Sequence, residues 1–190
     1  MKIVQCNDAA LEETAAILLS GGVAVIPTDT VYGLAAHPSF PAAVERLYTI
    51  KGRAAKKPIA LLAADVETAR QFLGGDMSSA AVSLAVRHWP GALTLVLPKD
   101  DTFEGLRVPD HDWTRRLIAR CGGVLRVTSA NLSGQRAATD APAALADVGL
   151  SADIIVDDGV SPGGIASTVV RIDAAGTQTI LRQGALRTGS

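Results

Sequence analysis

The sequence predicts an α/β domain built on a mixed sheet. Short apolar runs typical of buried strands occur at residues 23–26, 58–63, 92–97 and 124–127, and stretches with one apolar helical face lie between them. Strands and helices do not alternate strictly, which favours a mixed sheet over a regular Rossmann fold. The 190 residues, 48% of them hydrophobic, are enough for one domain with a substantial core.

The remaining elements follow from periodicity and from residues that end helices. Gly21 and Gly22 end the first helix, Asp112 and Gly122 flank the fifth, and Asp140 or Thr139 precedes the last. Three closing strands are predicted at 154–156, 167–172 and 178–181. Helices are predicted at 9–19, 42–50, 66–73, 79–89, 113–121 and 140–147.

Composition excludes several classes of protein. A formal net charge of −1 argues against a general nucleic-acid binder, and no apolar run approaches the length that spans a bilayer. The N-terminus lacks the pattern of a signal peptide, so a cytoplasmic protein without membrane attachment is expected. Cys6 and Cys121 are predicted to be buried reduced thiols, with a disulfide as the less favoured alternative.

The sequence also lacks the usual signatures of metal and phosphate sites. No histidine stands at metal-ligand spacing from another histidine or a cysteine, so no dedicated metal site is predicted. Neither GxGxxG nor GxxxxGK[ST] is present, and no Ser-His-Asp arrangement is legible. Any nucleotide site must therefore be built from other polar groups.

Two short polar motifs are the best candidates for such a site. Lys51 continues the apolar stripe of the second helix, so its amine is predicted to point into the protein. Arg53 follows after a glycine that lets a phosphate approach the backbone, whereas the next two lysines, Lys56 and Lys57, are typical of a solvated loop. Ser129 and Asn131 alternate after a strand and are expected to point the same way, with capping or turn formation as the alternative.

Other polar residues interrupt apolar segments. Thr28, Thr30 and Tyr32 alternate after a strand; they are predicted to share one side and hold a small polar ligand, unless they only form a polar turn. Thr94 is the single polar side chain of its strand and, by itself, indicates a satisfied buried hydroxyl. Arg107 precedes Val-Pro and is predicted to clamp a carboxylate; the alternative is a surface ion pair with Asp110.

Taken in order, these segments resemble the YrdC-like family, and within it the L-threonylcarbamoyladenylate synthases. The resemblance covers residues 22–186, and its specificity comes from seven motifs in sequence. They are PTDTVYGL at 27–34, KGR at 51–53 with KP at 57–58, WPGALTLVL at 89–97, RVPDH at 107–111, TSANLSG at 128–134, ASTVV at 166–170 and LRQG at 181–184.

The resemblance implies an ATP-dependent enzyme on a twisted open sheet with a concave ligand-binding face. Its substrates would be L-threonine, bicarbonate or carbon dioxide, and ATP, with Mg²⁺ expected alongside ATP. Its product, threonylcarbamoyl-adenylate, would supply other proteins that modify the tRNA adenosine beside the anticodon. Direct contact with tRNA is left open.

The resemblance also assigns residues. Lys51, Arg53, Ser129 and Asn131 would form the reaction centre and contact ATP, and the ATP site would also include Thr94, Ser167 and Arg182. Thr28, Tyr32 and Arg107 would bind threonine.

Three positions depart from the family pattern: Leu62 stands near a histidine of longer relatives, and Arg171 and Gln183 replace an aspartate and a proline. These departures are expected to cause local changes without loss of the site. Many longer relatives also carry a C-terminal domain, whereas residues 1–190 are expected to form the short, single-domain type.

Two other functions are alternatives to the synthase. One is a non-catalytic RNA-binding module of the same fold, acting in tRNA or ribosomal RNA maturation; the intact KxR and SxN motifs and the charge of −1 argue against it. The other is a carbamoyl-transferring domain of the hydrogenase-maturation type, which normally belongs to a much longer polypeptide. Threonine-dependent release of pyrophosphate from ATP separates all three.

Overall fold

A computed structural model describes residues 1–52, 58–75 and 77–186. The helices are α1 (Asp8–Leu19), α2 (Pro41–Lys51), α3 (Val66–Phe72), α4 (Ser79–His88), α5 (Asp112–Arg120) and α6 (Ala141–Asp147). The strands are β1 (Lys2–Gln5), β2 (Val23–Ile26), β3 (Gly33–Ala36), β4 (Leu61–Ala63), β5 (Leu93–Lys99), β6 (Thr102–Arg107), β7 (Val124–Ser129), β8 (Ile154–Asp157), β9 (Thr168–Ile172) and β10 (Gln178–Arg182).

The strands form one mixed sheet in the order β1-β8-β2-β3-β7-β4-β6-β5-β9-β10. β8 pairs in parallel with β1 and β2, while β3 and β7 are antiparallel to their neighbours. β4 pairs in parallel with β6, and β5 in parallel with β9, whereas β5–β6 and β9–β10 are antiparallel. The predicted α/β class with a mixed sheet is confirmed.

Three clusters of apolar side chains hold helices against this sheet. One half of the sheet consists of the six strands β1, β8, β2, β3, β7 and β4. α1 and α5 pack on one face of this half through residues such as Leu18 and Leu117. α2 and α6 pack on the opposite face of the same half, where Leu47 is fully buried. α3 and α4 cover that opposite face along β4, β6, β5 and β9. Among the described residues, no helix packs on the other face of β6, β5 and β9, and this part of the sheet is therefore open.

The structure corrects several expectations drawn from the sequence. Strands β1, β3 and β6 were not predicted, because small residues in β3 and polar ones in β6 obscure the pattern of a strand. Residues 58–60, predicted to begin a strand, precede β4 without regular structure. His111, not Asp112, caps α5, because its Nδ1 accepts the Thr114 N–H at 3.3 Å.

The cysteines also differ partly from expectation. Both are free thiols, so the alternative of a disulfide is excluded. Cys121 is buried as predicted, but Cys6 is only half-buried. Among the described residues, no helix is both long and apolar enough to cross a membrane.

Candidate active site

The open face of the sheet carries the polar residues singled out in the sequence. Along β5, Leu93, Leu95 and Leu97 point into the core formed with α3 and α4, so the alternate residues Thr94 and Val96 point to the open side. The same alternation places Arg107 of β6 and Val169 of β9 on that side. Period-two geometry thus brings residues that are distant in sequence onto one concave surface.

A cavity of about 360 Å³ lies on this surface. Its volume falls within the roughly 300–1,000 Å³ typical of small-molecule sites. Its walls are formed by the loop that follows β2, by the last residues of β7 and by the segment that precedes β9. The polar lining residues are Thr28, Thr30, Tyr32, Thr94, Arg107, Thr128, Ser129, Ser167 and Arg182.

Arg107 forms one end of the cavity and is 6% exposed. Its Nε donates to the Gly91 carbonyl at 2.9 Å, Nη1 donates to Thr30 Oγ1 at 2.8 Å, and Nη2 donates to an Asp29 carboxylate oxygen. Burial lowers the pKa of Arg107, and the Asp29 charge opposes that shift. The alternative of a surface pair with Asp110 is wrong: Arg107 is buried with Asp29, and Asp110 pairs with Arg115.

The loop of residues 27–32 is bent, so its side chains do not all share one side. Thr28 Oγ1 donates to the Val31 carbonyl at 2.6 Å and lies 3.0 Å from Thr30 Oγ1, which forms a compact polar turn beside Arg107. Tyr32 borders the cavity, but its hydroxyl donates to the Gly159 carbonyl at 2.7 Å and accepts the Asp158 N–H at 3.0 Å. The Tyr32 hydroxyl therefore lies apart from those of Thr28 and Thr30, and a contact of Tyr32 with a ligand stays a prediction.

Thr94, Ser167 and Arg182 form a second polar group in the cavity. The hydroxyls of Thr94 and Ser167 are 2.8 Å apart. Nη2 of Arg182 donates to the Ser167 carbonyl at 2.7 Å and to its hydroxyl at 3.2 Å. Because one hydroxyl proton bridges the two side chains, the other remains as a donor for a ligand oxygen.

Lys51, Ser129 and Asn131 converge at a third point. The Lys51 ammonium donates to the carbonyls of Ser129 at 2.5 Å and Asn131 at 2.6 Å. It also lies 3.4 Å from Ser129 Oγ and 3.3 Å from Asn131 Oδ1, which confirms that both side chains point the same way. Lys51 is 3% exposed, as its place on the helix predicted.

The partners of Asn131 show how this turn is built. Its amide nitrogen donates to the Leu132 and Gln135 carbonyls, each at 2.8 Å. Ser129 also lines the cavity, which places this turn at the cavity wall. Arg53, Lys56 and Lys57 lie outside the described residues.

Apolar residues form the rest of the cavity lining. Leu62, which departs from the family pattern, lines the cavity, and Phe103 lies on the same surface toward the outer end of β6. Arg171 places its guanidinium 3.9 Å from the centre of the Phe103 ring. Gln183 donates to the Leu186 carbonyl. The apolar side chains of this wall are Val96, Phe103, Val169 and Leu181.

Sequence reasoning missed several members of the site. Asp29 lies between Thr28 and Thr30 in a recognised motif but was not predicted to take part in the site, although it pairs with Arg107. The presence of an acid in one motif and an arginine in another is the sequence signal that could have indicated this pair. Gly105 also lines the cavity, and a glycine inside a strand is typical of a close approach by a ligand or backbone. The Gly91 carbonyl, which accepts from Arg107, could not be predicted from the sequence, because every residue has a backbone carbonyl.

This combination of a mixed open sheet and a polar cavity on its helix-free face defines the class of protein. The family model named Sua5/YciO/YrdC, and described as telomere recombination, matches residues 16–184. The chain belongs to the Sua5/YciO/YrdC family.

Curated relatives point to one activity within the family. A threonylcarbamoyl-AMP synthase of Bacillus subtilis (strain 168) is 35% identical over 191 residues, covering 95% of this chain and 55% of the relative. Another, from Idiomarina loihiensis, is 34% identical and covers 82% of this chain and 88% of the relative. The chain spans about half the length of the first curated relatives it matches.

Solved structures agree with the fold. A P. abyssi Sua5 structure complexed with L-threonine superposes with a TM-score of 0.88 at 30% identity. The superposition covers 96% of this chain and 57% of that protein. The predicted twisted open sheet flanked by helices is therefore confirmed for the part of the chain that the structure describes.

Proposed function

We propose that this chain is a threonylcarbamoyl-AMP synthase, which makes threonylcarbamoyl-AMP and pyrophosphate from L-threonine, ATP, and bicarbonate or carbon dioxide. The observation that carries the proposal is one cavity with a buried guanidinium at one end and a hydroxyl–guanidinium group beside it. The first suits a carboxylate and the second suits phosphate oxygens. The names of the relatives support the same assignment.

Threonine is assigned to the Arg107 end. Three of the five guanidinium N–H groups donate to Asp29, Thr30 and Gly91, which fixes the plane of the group. The two that remain can donate to both oxygens of an α-carboxylate. The bound amino acid is then oriented so that its amine faces the phosphates of ATP.

The chemistry proceeds in two steps. The neutral amine of threonine adds to carbon dioxide and loses a proton, which gives a carbamate. A carbamate oxygen then attacks the α-phosphorus of ATP, the bond from that phosphorus to the bridging oxygen breaks, and pyrophosphate leaves with the electron pair. No covalent enzyme intermediate is needed, in keeping with the lack of a legible nucleophile–base pair.

Negative charge on the phosphates is the main electrostatic demand of the second step. Thr94, Ser167 and Arg182 are assigned to contacts with ATP, and Ser129 presents a further hydroxyl to the same cavity. The Lys51 ammonium contacts both Ser129 and Asn131, and these contacts hold the turn that carries Ser129. Arg53 is assigned to the phosphates by resemblance alone. Mg²⁺ is expected to enter with ATP as part of the substrate, held by phosphate and water oxygens.

The product is proposed to serve as donor of the threonylcarbamoyl group for the tRNA adenosine beside the anticodon. Other proteins would perform that transfer. Direct contact between tRNA and this chain is a separate question, and a tRNA-binding measurement tests it.

The decisive experiment measures pyrophosphate release from ATP and bicarbonate with and without L-threonine. We expect threonine-dependent release together with an adenylate of the expected mass. Serine in place of threonine and omission of bicarbonate serve as controls. Folded protein that releases no pyrophosphate would contradict the proposal, and binding of tRNA at several salt concentrations would then test the RNA-binding alternative.

A further inference from the structure

Two guanidinium groups line the same cavity and form hydrogen bonds with different residues. Arg107 forms a buried ion pair with Asp29, whose side chain is 12% exposed. Arg182 donates to the carbonyl and hydroxyl of Ser167. The two cations are close enough that Arg182 contributes to lowering the pKa of Arg107. A polyanion entering the cavity therefore meets two positive groups.

This arrangement raises a problem of selectivity. A buried cation whose charge is not balanced attracts any anion strongly, because the surroundings screen the charge poorly. Tripolyphosphate carries several negative charges, whereas a free amino acid is a zwitterion without net charge. An unbalanced Arg107 would therefore favour the phosphates over threonine.

The position of Asp29 answers this problem. Its carboxylate cancels the charge of Arg107 but engages a single side of the guanidinium, through Nη2. Thr30 and Gly91 are neutral acceptors, so they orient the guanidinium without changing its charge. The two guanidinium N–H groups of Arg107 without these partners can still form directional hydrogen bonds with a carboxylate, while the negative charge of Asp29 repels phosphate.

The backbone around Asp29 keeps the carboxylate in this place. The Gly163 N–H donates to the Asp29 carbonyl at 3.0 Å. A Cβ at Gly163 would lie 2.6 Å from that carbonyl oxygen, so glycine is required for the two loops to pack this closely. The counter-ion is thus held by contacts outside the cavity itself.

We propose that Asp29 is a specificity-determining counter-ion, which makes the Arg107 end of the cavity selective for an amino-acid zwitterion over phosphate. This inference rests on the proposed function and deepens it. It assigns a role to a residue that does not itself need to touch the substrate. Asp29 is accordingly a positioning and charge-balancing residue.

The test measures threonine affinity by calorimetry with and without saturating tripolyphosphate. In the unmodified protein, we expect tripolyphosphate to change the dissociation constant of threonine by less than about twofold. In Asp29→Asn, which leaves the buried Arg107 charge unbalanced, tripolyphosphate should compete and raise that constant about tenfold or more. Asp110→Asn is the matched control, because Asp110 is exposed and pairs with Arg115; it should behave like the unmodified protein.

A second variant covers the case in which Asp29→Asn does not fold. The double variant Asp29→Asn/Arg107→Gln removes both charges, so it should lose threonine affinity at least about tenfold yet bind tripolyphosphate as tightly as the unmodified protein. A marked loss of tripolyphosphate affinity would show that Arg107 is a phosphate ligand and would overturn the inference. Unchanged selectivity in a folded Asp29→Asn variant would overturn it as well.

These outcomes are separable from failure of the proposed function. If the unmodified protein neither binds threonine nor releases pyrophosphate, the proposed function fails. If it does both, and Asp29→Asn still excludes tripolyphosphate from the threonine end, only the role of Asp29 fails.

Discussion

At the scale of single residues, polar groups that line or support the cavity act through their neighbours. Lys51 illustrates this: its ammonium contacts two carbonyls and two side-chain oxygens of the 128–134 segment, and the Ser133 N–H donates back to the Lys51 carbonyl at 2.8 Å. A buried cation with several oxygen partners stabilises the turn that carries them. Lys51 therefore supports the shape of this turn, in addition to the role proposed for its charge in the reaction.

Replacement of Lys51 should expose this double role. Lys51→Ala removes the ammonium, so we expect pyrophosphate release to fall about 100-fold or more, in line with the loss of one stabilising group in a reaction centre. The unsatisfied carbonyls should also lower the free energy of unfolding by about 1–3 kcal/mol. Enzyme assays and denaturant titrations measure the two effects.

Lys2→Ala is the matched control for Lys51→Ala, because Lys2 pairs with Glu13 on the surface. Such pairs contribute about 0–1 kcal/mol, so activity and stability should both be nearly unchanged. Near-normal activity of Lys51→Ala would show that the assignment of Lys51 to the reaction centre is wrong.

At the scale of elements, the cavity depends on contacts between strands that are far apart in sequence. β5 and β9 pair in parallel, with Thr94 opposite Val169, and this register sets Thr94 beside Ser167 just ahead of β9. Neither hydroxyl could form this contact within its own strand. The pairing of strands, rather than either segment alone, therefore assembles the polar group that is proposed to bind phosphate.

A double-mutant cycle tests the coupling of these two hydroxyls. Thr94→Val and Ser167→Ala each remove one partner, so each should raise the KM for ATP, and the double variant should cost less than the sum. Residues in direct contact commonly show a coupling of about 0.5–3 kcal/mol. Thr179→Val on exposed β10 is the control, and additive effects at Thr94 and Ser167 would argue against a shared role.

A substitution of Gly105 in β6 tests how closely the ligand approaches the floor of the cavity. An added Cβ would lie 3.1 Å from the Ala60 Cβ and 3.7 Å from Thr94 Cγ2, so it would narrow the cavity with only a small shift of Ala60. We expect Gly105→Ala to raise the KM for ATP severalfold, with a change in unfolding free energy below about 1 kcal/mol. Unchanged kinetics would show that the ligand does not approach this strand closely.

At the scale of the whole molecule, three side chains keep their protons at alkaline pH: Tyr32, Cys6 and Cys121. Burial raises the pKa of Tyr32 to about 12, and its hydroxyl joins the loop at residues 158–159 to the 27–32 segment. Burial likewise raises the pKa of Cys6 to about 12 and of Cys121 to about 11. All three groups favour the neutral form in the folded protein.

The stability of the protein should therefore fall at alkaline pH. Between about pH 9 and 12 the unfolded chain releases these protons before the folded protein does, so the free energy of unfolding decreases as pH rises. Denaturant titrations at pH 8 and pH 11 measure this loss. Tyr32→Phe should be less stable at pH 8 but lose less stability above pH 10, and an identical slope would contradict the role of Tyr32.

Much of this protein could be predicted from the sequence, because local patterns carry it. Apolar periodicity predicted the six helices found among the described residues and most of the core strands, and it correctly placed the Lys51 amine inside the protein. Ordered motifs predicted the family, which is confirmed over residues 16–184. Chemical types at fixed spacing were sufficient for these conclusions.

Only the tertiary structure decided which groups meet. The pairing of Asp29 with Arg107, the turn of Tyr32 toward Gly159 and the contact between Thr94 and Ser167 all join segments that are remote in sequence or reversed by a bend. A pattern within one segment records which face a side chain occupies, but not which segment will lie across from it. Strand order and loop packing supply that information, and here they convert scattered polar residues into one cavity.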